Sequence, residues 1–210
     1  MNAILLISFF FFSLNVNSKT INLLHYNIKE LDSTKIKDFI HDPNNKSQLH
    51  FVKKVMQSYQ FDLLSLNEIQ YDLPNVPNRK FQTTGKNLSL ISHILNLEKY
   101  NEAFFEANTG KHAKKKPDGT YETNPGRGIT YADPLNFGLF PGQYSTGLLS
   151  RFDIVEKKSI TNLKWKKFNP KIDLSQFKTK DGSPIPDHIE LFDKSFNDIT
   201  LKVDGKILHV

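Results

Sequence analysis

Apolar positions along the chain come in short blocks whose spacing alternates between that of strands and that of helices. Residues 20–27 (TINLLHYN) predict a first strand ending in an amide, Asn27. Between residues 47 and 59, Leu49, Phe51, Val52, Val55, Met56 and Tyr59 recur at helical spacing, with Ser47 placed as an N-cap. The short, mostly apolar run 61–66 suits a strand buried on both faces. Residues 86–97 predict a second helix with Leu88, Ile91, Ile94 and Leu95 inward, and 100–107 another strand. Strand, helix, strand, helix, strand points to α/β layers rather than an all-β domain.

The second half is less periodic. Residues 108–137 hold several glycines and prolines and the run Lys114-Lys115-Lys116, a stretch too long for a passive connector. The lysines read first as a solvated run and second as a phosphate clamp. Residues 143–155 predict a strand pair reversing tightly near Arg151, 161–168 a further strand, and 169–186 a polar surface loop. Residues 198–203 and 206–210 predict a hairpin across Asp204-Gly205. There are no internal repeats.

A chain of 210 residues with 38% hydrophobic positions suffices for one domain with a real core and is too short for two large ones. The net charge of +6 permits an anionic substrate and says no more. The near-continuous apolar run 3–14, with small residues Val16 and Ser18 after it, predicts an export signal cleaved after Ser18. No Lys or Arg precedes the run, and an uncleaved anchor or a buried strand are the alternatives. The run is shorter than the roughly 20 residues of a membrane span. The chain has no cysteine, which excludes disulfides, thiolate zinc sites and cysteine nucleophiles and agrees with a periplasmic or secreted address.

Candidate chemistry centres on Glu68, just past the run 61–66 and ahead of Tyr71-Asp72-Leu73-Pro74. A carboxylate where a buried strand meets a loop sits on rigid backbone with its head free for a hard cation or a proton. A solvated loop acid is the plain alternative. His25 reads as a satisfied strand histidine or as a residue supporting Asn27, and His50 and His93 as residues at the surface of their helices.

Three segments together resemble the endonuclease/exonuclease/phosphatase family, metal-dependent phosphodiesterases that include pancreatic-type deoxyribonuclease. Leu23-Leu24-His25-Tyr26-Asn27 is similar to its first strand, Asp62-Leu63-Leu64-Ser65-Leu66-Asn67-Glu68 to the strand ending in its metal-binding Glu, and Leu149-Ser150-Arg151-Phe152-Asp153-Ile154 to a third conserved-type segment. Secreted bacterial members are matched further by Asn67-Glu68 with Tyr71-Asp72, and by Pro141-Gly142-Gln143-Tyr144, with Ser145 where Gly is usual. Asn108-Thr109-Gly110 and Lys194-Ser195-Phe196-Asn197-Asp198 look like loops of that subgroup.

The resemblance implies an α/β/β/α sandwich over residues 19–210, of which the N-terminal part is present, following a signal peptide at 1–18. It implies an exported hydrolase in which Mg²⁺, with Mn²⁺ or Ca²⁺ as alternatives, assists attack of water on a phosphate ester. Glu68 and Asn27 would serve metal and catalysis, and Asn108, Gln143 and Tyr144 the substrate. A divalent cation suits charge gathering on phosphoryl oxygens, and Mg²⁺ often needs only one or two protein carboxylates. Substrates in this family range from nucleic acid to phospholipid headgroups, with no stable membrane span and a monomeric state expected.

The same resemblance exposes a gap. The family's general base is a His paired with an Asp, helped by an Asp-x-Asn motif, and neither motif is found here. A strand like 207–210 leads into that His in the family; here it stops at Val210, with His209 upstream of the expected position. The expectation is therefore a chain with the metal side of the site and without its proton-transfer side. Such a chain would be prone to aggregation through an unpaired edge at residues 206–210. A catalytically incomplete fragment with a binding role, or none, is the alternative to the hydrolase, and an unrelated exported α/β protein is a third.

Overall fold

β2 (Leu63–Ile69) lies inside a four-stranded sheet of order β1-β2-β4-β3, with β1 at Leu23–Leu31, β3 at Asn101–Phe105 and β4 at Ser145–Ser150. The computed structural model describes residues 20–73, 87–124, 126, 130–179 and 182–210. The expected signal segment and the stretch from Pro74 through Pro77-Asn78 lie outside the described residues. β1 runs parallel to β2, with Asn27 opposite Asn67, whereas β4 is antiparallel to both β2 and β3. A second, antiparallel sheet has the order β5-β6-β7, from Asp153–Ile160, Phe196–Val203 and Lys206–His209.

Side chains alternate across a strand, so β2 serves two cores. Leu64 and Leu66 face α1 (Ser33–His41), α2 (Gln48–Gln57) and α3 (Asn87–Ile94), where they meet Ile36, Leu49, Val52 and Ile91. Leu63 faces the other way, joining Phe105 and Leu148 against Ile199, Leu201 and Val203 of the second sheet. Burying each such leucine stabilises the fold by roughly 1.5–3 kcal/mol. Gly147 on β4 lets α3 come close, since a Cβ there would stand 2.8 Å from the Leu88 side chain. The architecture is thus mixed α/β, with a helical layer and two stacked sheets. The outer helical layer of the expected sandwich is not found among the described residues, where β5 is exposed along nearly its whole length. No helix among the described residues is long and apolar enough to cross a membrane.

Several expectations change. Residues 32–41, read as no element, form α1, capped by the Asp32 carboxylate accepting from the Lys35 N–H at 2.8 Å. β1 does not end at Asn27 but continues through an irregularity to the buried Leu31. In α2 only Leu49, Val52 and Met56 are buried; Phe51 and Val55 are exposed, because the helix rests one narrow stripe on the sheet, and Tyr59, past the helix end, is exposed too. Ser47 stands at the N-cap without a side-chain capping bond. β4 and β5 are not a hairpin: at Arg151-Phe152 the chain leaves one sheet and enters the other, a corner made by the Phe152 N–H donating to Ser150 Oγ at 3.0 Å. Residues 161–168 hold no strand, only an isolated bridge at Lys164 and a single helical turn, α4 (Trp165–Phe168). The hairpin at Asp204-Gly205 is present, both residues having positive φ as a tight two-residue turn requires.

Candidate functional site

The rim where β1 and β2 end carries two backbone irregularities side by side. Asn67 pairs with Thr146 and Ile69 with Ser145, leaving Glu68 as the extra residue of a bulge at φ 65°. On β1 the register breaks between Asn27 and Leu31, and Lys29 and Glu30 take φ of 55° and 52°. The side-chain amide of Gln48, at the start of α2, clamps this second bulge by donating to the carbonyls of Ile28 and Lys29.

These distortions aim Glu68 into a cavity of about 430 Å³. Its Oε1 accepts from Asn27 Nδ2 at 2.9 Å, and its Oε2 from the Glu30 N–H at 3.3 Å. Lys194 Nζ stands 3.8 Å from Oε1. Asn27 Oδ1 is taken up by the Lys29 N–H at 2.9 Å, so Asn27 orients the acid rather than offering an oxygen beside it. Tyr144, at φ 68°, donates its hydroxyl to Glu30 at 2.9 Å. Burial first, then the bond to Glu30 and the charges of Glu30 and Glu68, push its phenol well above the usual range and keep it a donor. Phe137 stacks on Tyr144 with centroids 6.3 Å apart and forms an exposed aromatic wall.

Two features mark this cavity as the functional candidate. Among the described residues seven non-glycine residues have positive φ, and four of them, Glu30, Glu68, Phe137 and Tyr144, line it. Such conformations cost of order 1–3 kcal/mol each and gather where function over-determines the backbone. The second is charge. Glu30, Glu68 and Asp193 face a single cation, Lys194, so the cavity draws in cations.

The donors fit a hard divalent ion in one way only. Among the described residues no group of three or more His, Cys, Asp or Glu side chains is placed to hold a metal. Glu68 is one carboxylate with 22% of its side chain exposed, a set that leaves most of the coordination sphere to water and phosphate, as Mg²⁺ tolerates. Asn27 would keep that carboxylate pointed at the ion.

No protein-family model and no curated protein matches this sequence. Solved structures do. The chain is similar to an endonuclease/exonuclease/phosphatase family protein from Leptotrichia buccalis C-1013-b, at 9% identity and a TM-score of 0.45, over 90% of this chain and 53% of that one. It is similar to an endonuclease/exonuclease/phosphatase from Beutenbergia cavernae DSM 12333, at 14% identity and a TM-score of 0.42, over 90% and 37%. Sphingomyelinase C from Streptomyces griseocarneus overlays at 14% identity and a TM-score of 0.34, over 91% and 48%. The chain thus spans about half, or less, of the length of these structures. Likeness this distant says nothing of chemistry.

Of the residues singled out from sequence, Asn27, Glu68 and Tyr144 are brought together. Asn108 and Gln143 are turned inward. Asn108 Nδ2 donates to the carbonyls of Thr161 and Phe192, at 2.6 and 2.9 Å, and Gln143 Oε1 accepts from the Leu139 N–H at 2.6 Å. His25 lies against Ser65 and Asn67, at 3.0 and 3.3 Å, while His50 and His93 contact Pro43 and Glu98 away from the cavity. A His–Asp pair does exist: His209 Nδ1 is 2.9 Å from Asp198 Oδ1 across β6 and β7, but neither lines the Glu68 cavity. Sequence reasoning gave no role to Glu30, Asn136, Phe137 or Asp193, and met Lys194 only as the start of a loop-like segment. Asn136 lines the cavity, is buried, and leaves both amide atoms without a partner, which costs about 1–3 kcal/mol unless water or a ligand satisfies them. Nothing local in the sequence distinguishes it.

Proposed function

We propose that this chain is exported, that it carries the cation- and phosphate-seating part of a phosphoester hydrolase site of the endonuclease/exonuclease/phosphatase kind, and that it binds rather than turns over. Glu68 holds a divalent cation, preferably Mg²⁺, and Asn27 orients that carboxylate. Tyr144, with Phe137 behind it, and Lys194 flank the ester. One observation carries the reading: a partly exposed carboxylate, steered by an amide on strained backbone into a cavity that it shares with Glu30 and Asp193 and that has a surplus of negative charge. Two of the three sequence segments that resemble the family, 23–27 and 62–68, end at this same rim. Binding without turnover is favoured because the described lining has no histidine to act as the proton acceptor.

Calorimetric titration of Mg²⁺ with and without dimethyl phosphate, together with hydrolysis of a bis-aryl phosphodiester, tests this. Binding that Glu68→Gln abolishes, with hydrolysis at background, is expected. Hydrolysis well above background that Glu68→Gln removes would make the chain a working hydrolase. Absence of Mg²⁺ binding in the unaltered chain would end the reading.

A further inference from the structure

The insertion between β5 and β6 has a composition that neither the core nor the cavity explains. Residues 161–179 contain Lys164, Lys166, Lys167, Lys171 and Lys178 against one acid, Asp173. Lys164 is held by the buried Glu190 at 2.5 Å, and Lys166 stands 3.7 Å from Asp187. No ion pair among the described residues engages Lys167, Lys171 or Lys178. Two aromatic residues beside them, Phe168 and Phe177, are exposed, whereas Leu174 is buried. α4 buries none of its residues, Phe168 is 63% exposed and Phe177 54%. Trp165 meets Phe168 edge-on, with centroids 6.3 Å apart.

We propose that this segment, Lys164-Trp165-Lys166-Lys167-Phe168 with Lys171, docks the protein on an anionic lipid surface. The idea goes beyond the reading of the Glu68 cavity and does not depend on it. Exposed Phe beside Trp on one turn, flanked by lysines of which Lys167 and Lys171 have no ion pair among the described residues, matches an interfacial anchor: the rings enter the acyl boundary and the ammonium groups stay among anionic headgroups. Charge complementarity selects the occupant. Lysine clusters are drawn to anionic leaflets in proportion to their number. A nucleic-acid surface is less suited, since the segment has no arginine to fork onto phosphate or base edges.

Trp165 is the chain's single tryptophan, so its emission reports on this segment alone. That matters because the apolar run 3–14 could itself adhere to lipid. The purified chain is mixed with vesicles of phosphatidylcholine, or of phosphatidylcholine with phosphatidylglycerol, each with and without acyl-brominated lipid. The expected result is a blue shift and bromine quenching of Trp165 only with phosphatidylglycerol, reversed by salt. Partitioning should weaken about fivefold for each lysine removed in Lys166→Gln, Lys167→Gln and Lys171→Gln. Phe168→Ser should weaken it about tenfold. All four side chains are at or near the surface, so the fold should persist, checked by far-ultraviolet circular dichroism. Unchanged Trp165 emission while the chain sediments with vesicles, an equal response to neutral vesicles, or quenching by oligothymidylate in place of vesicles would each overturn the proposal.

Discussion

Two glutamates, each drawn away from solvent, behave in opposite ways. Glu190 is 1% exposed and surrounded by two lysines and an imidazole: Lys111 Nζ at 2.8 Å, Lys164 Nζ at 2.5 Å and His112 Nε2 at 3.4 Å. Burial pushes its pKa up, but the hydrogen bonds from Lys111 and Lys164 outweigh that and hold it well below the usual range. It has no positive φ and clasps the 108–137 loop to the 161–191 segment. Glu68 has one amide, one backbone N–H and a lysine at arm's length, on backbone that a glutamate seldom adopts. A carboxylate satisfied on all sides on relaxed backbone is structural. One left short of partners on strained backbone is held ready for something else.

The largest effect that separates them is on stability. Glu190→Gln should cost about 3 kcal/mol, because it leaves two lysines beside a neutral group, and should lower the urea midpoint accordingly. Glu68→Gln should leave that midpoint nearly unmoved. Equal losses at the two positions would erase the distinction.

Acid should act on the clasp in the same direction. The folded pKa of Glu190 is depressed, so its stabilisation is present above the ordinary glutamate value of 4.5 and is lost as pH falls below it. Urea midpoints measured from neutral pH downward should fall through that range, and Glu190→Gln should flatten the slope there. A smaller effect is expected from Glu68→Gly. Relieving the positive φ should raise stability by about 1 kcal/mol while removing Mg²⁺ binding. Loss of stability in that variant would mean the Glu68 bulge is held by contacts rather than strained. A comparable effect is expected from Tyr144→Phe, which keeps the stack on Phe137 and removes only the bond to Glu30, about 0.5–1.5 kcal/mol in the same urea assay.

Much of the fold was legible because it rests on periodicity. Leu88, Ile91, Ile94 and Leu95 point inward from α3, and Leu63 to Leu66 serve two buried faces, as their spacing implied. What stayed hidden depends on backbone conformation or register, which side-chain type does not encode. Lys29 and Glu30 look like surface residues of a strand, yet their left-handed conformation is what places Glu30 beside Glu68 and Tyr144. Asp198 and His209 meet because of the β6–β7 register, although the hairpin was foreseen. α1 escaped notice because its buried face is only Ser33, Ile36 and Phe39. Glu68 drew notice as an acid right after a buried apolar run, but that pattern equally describes a solvated loop acid, and it was the family resemblance that singled it out. Its partner Asn27 came with it, but Asn108 and Gln143 show that an amide near a site is as readily used to tie down loops.

The most direct test is to map where a divalent ion sits. Mn²⁺ added at substoichiometric level to the ¹⁵N-labelled chain should broaden the amide resonances of Asn27, Glu30, Glu68 and Asp193 and spare those of Lys111, Lys164 and Glu190. Asn27→Ala should weaken that effect by about 10–100-fold in Mn²⁺ concentration, as loss of an orienting partner does. Broadening spread evenly over exposed carboxylates, or centred on the Asp198–His209 pair with the Glu68 rim untouched, would contradict the account.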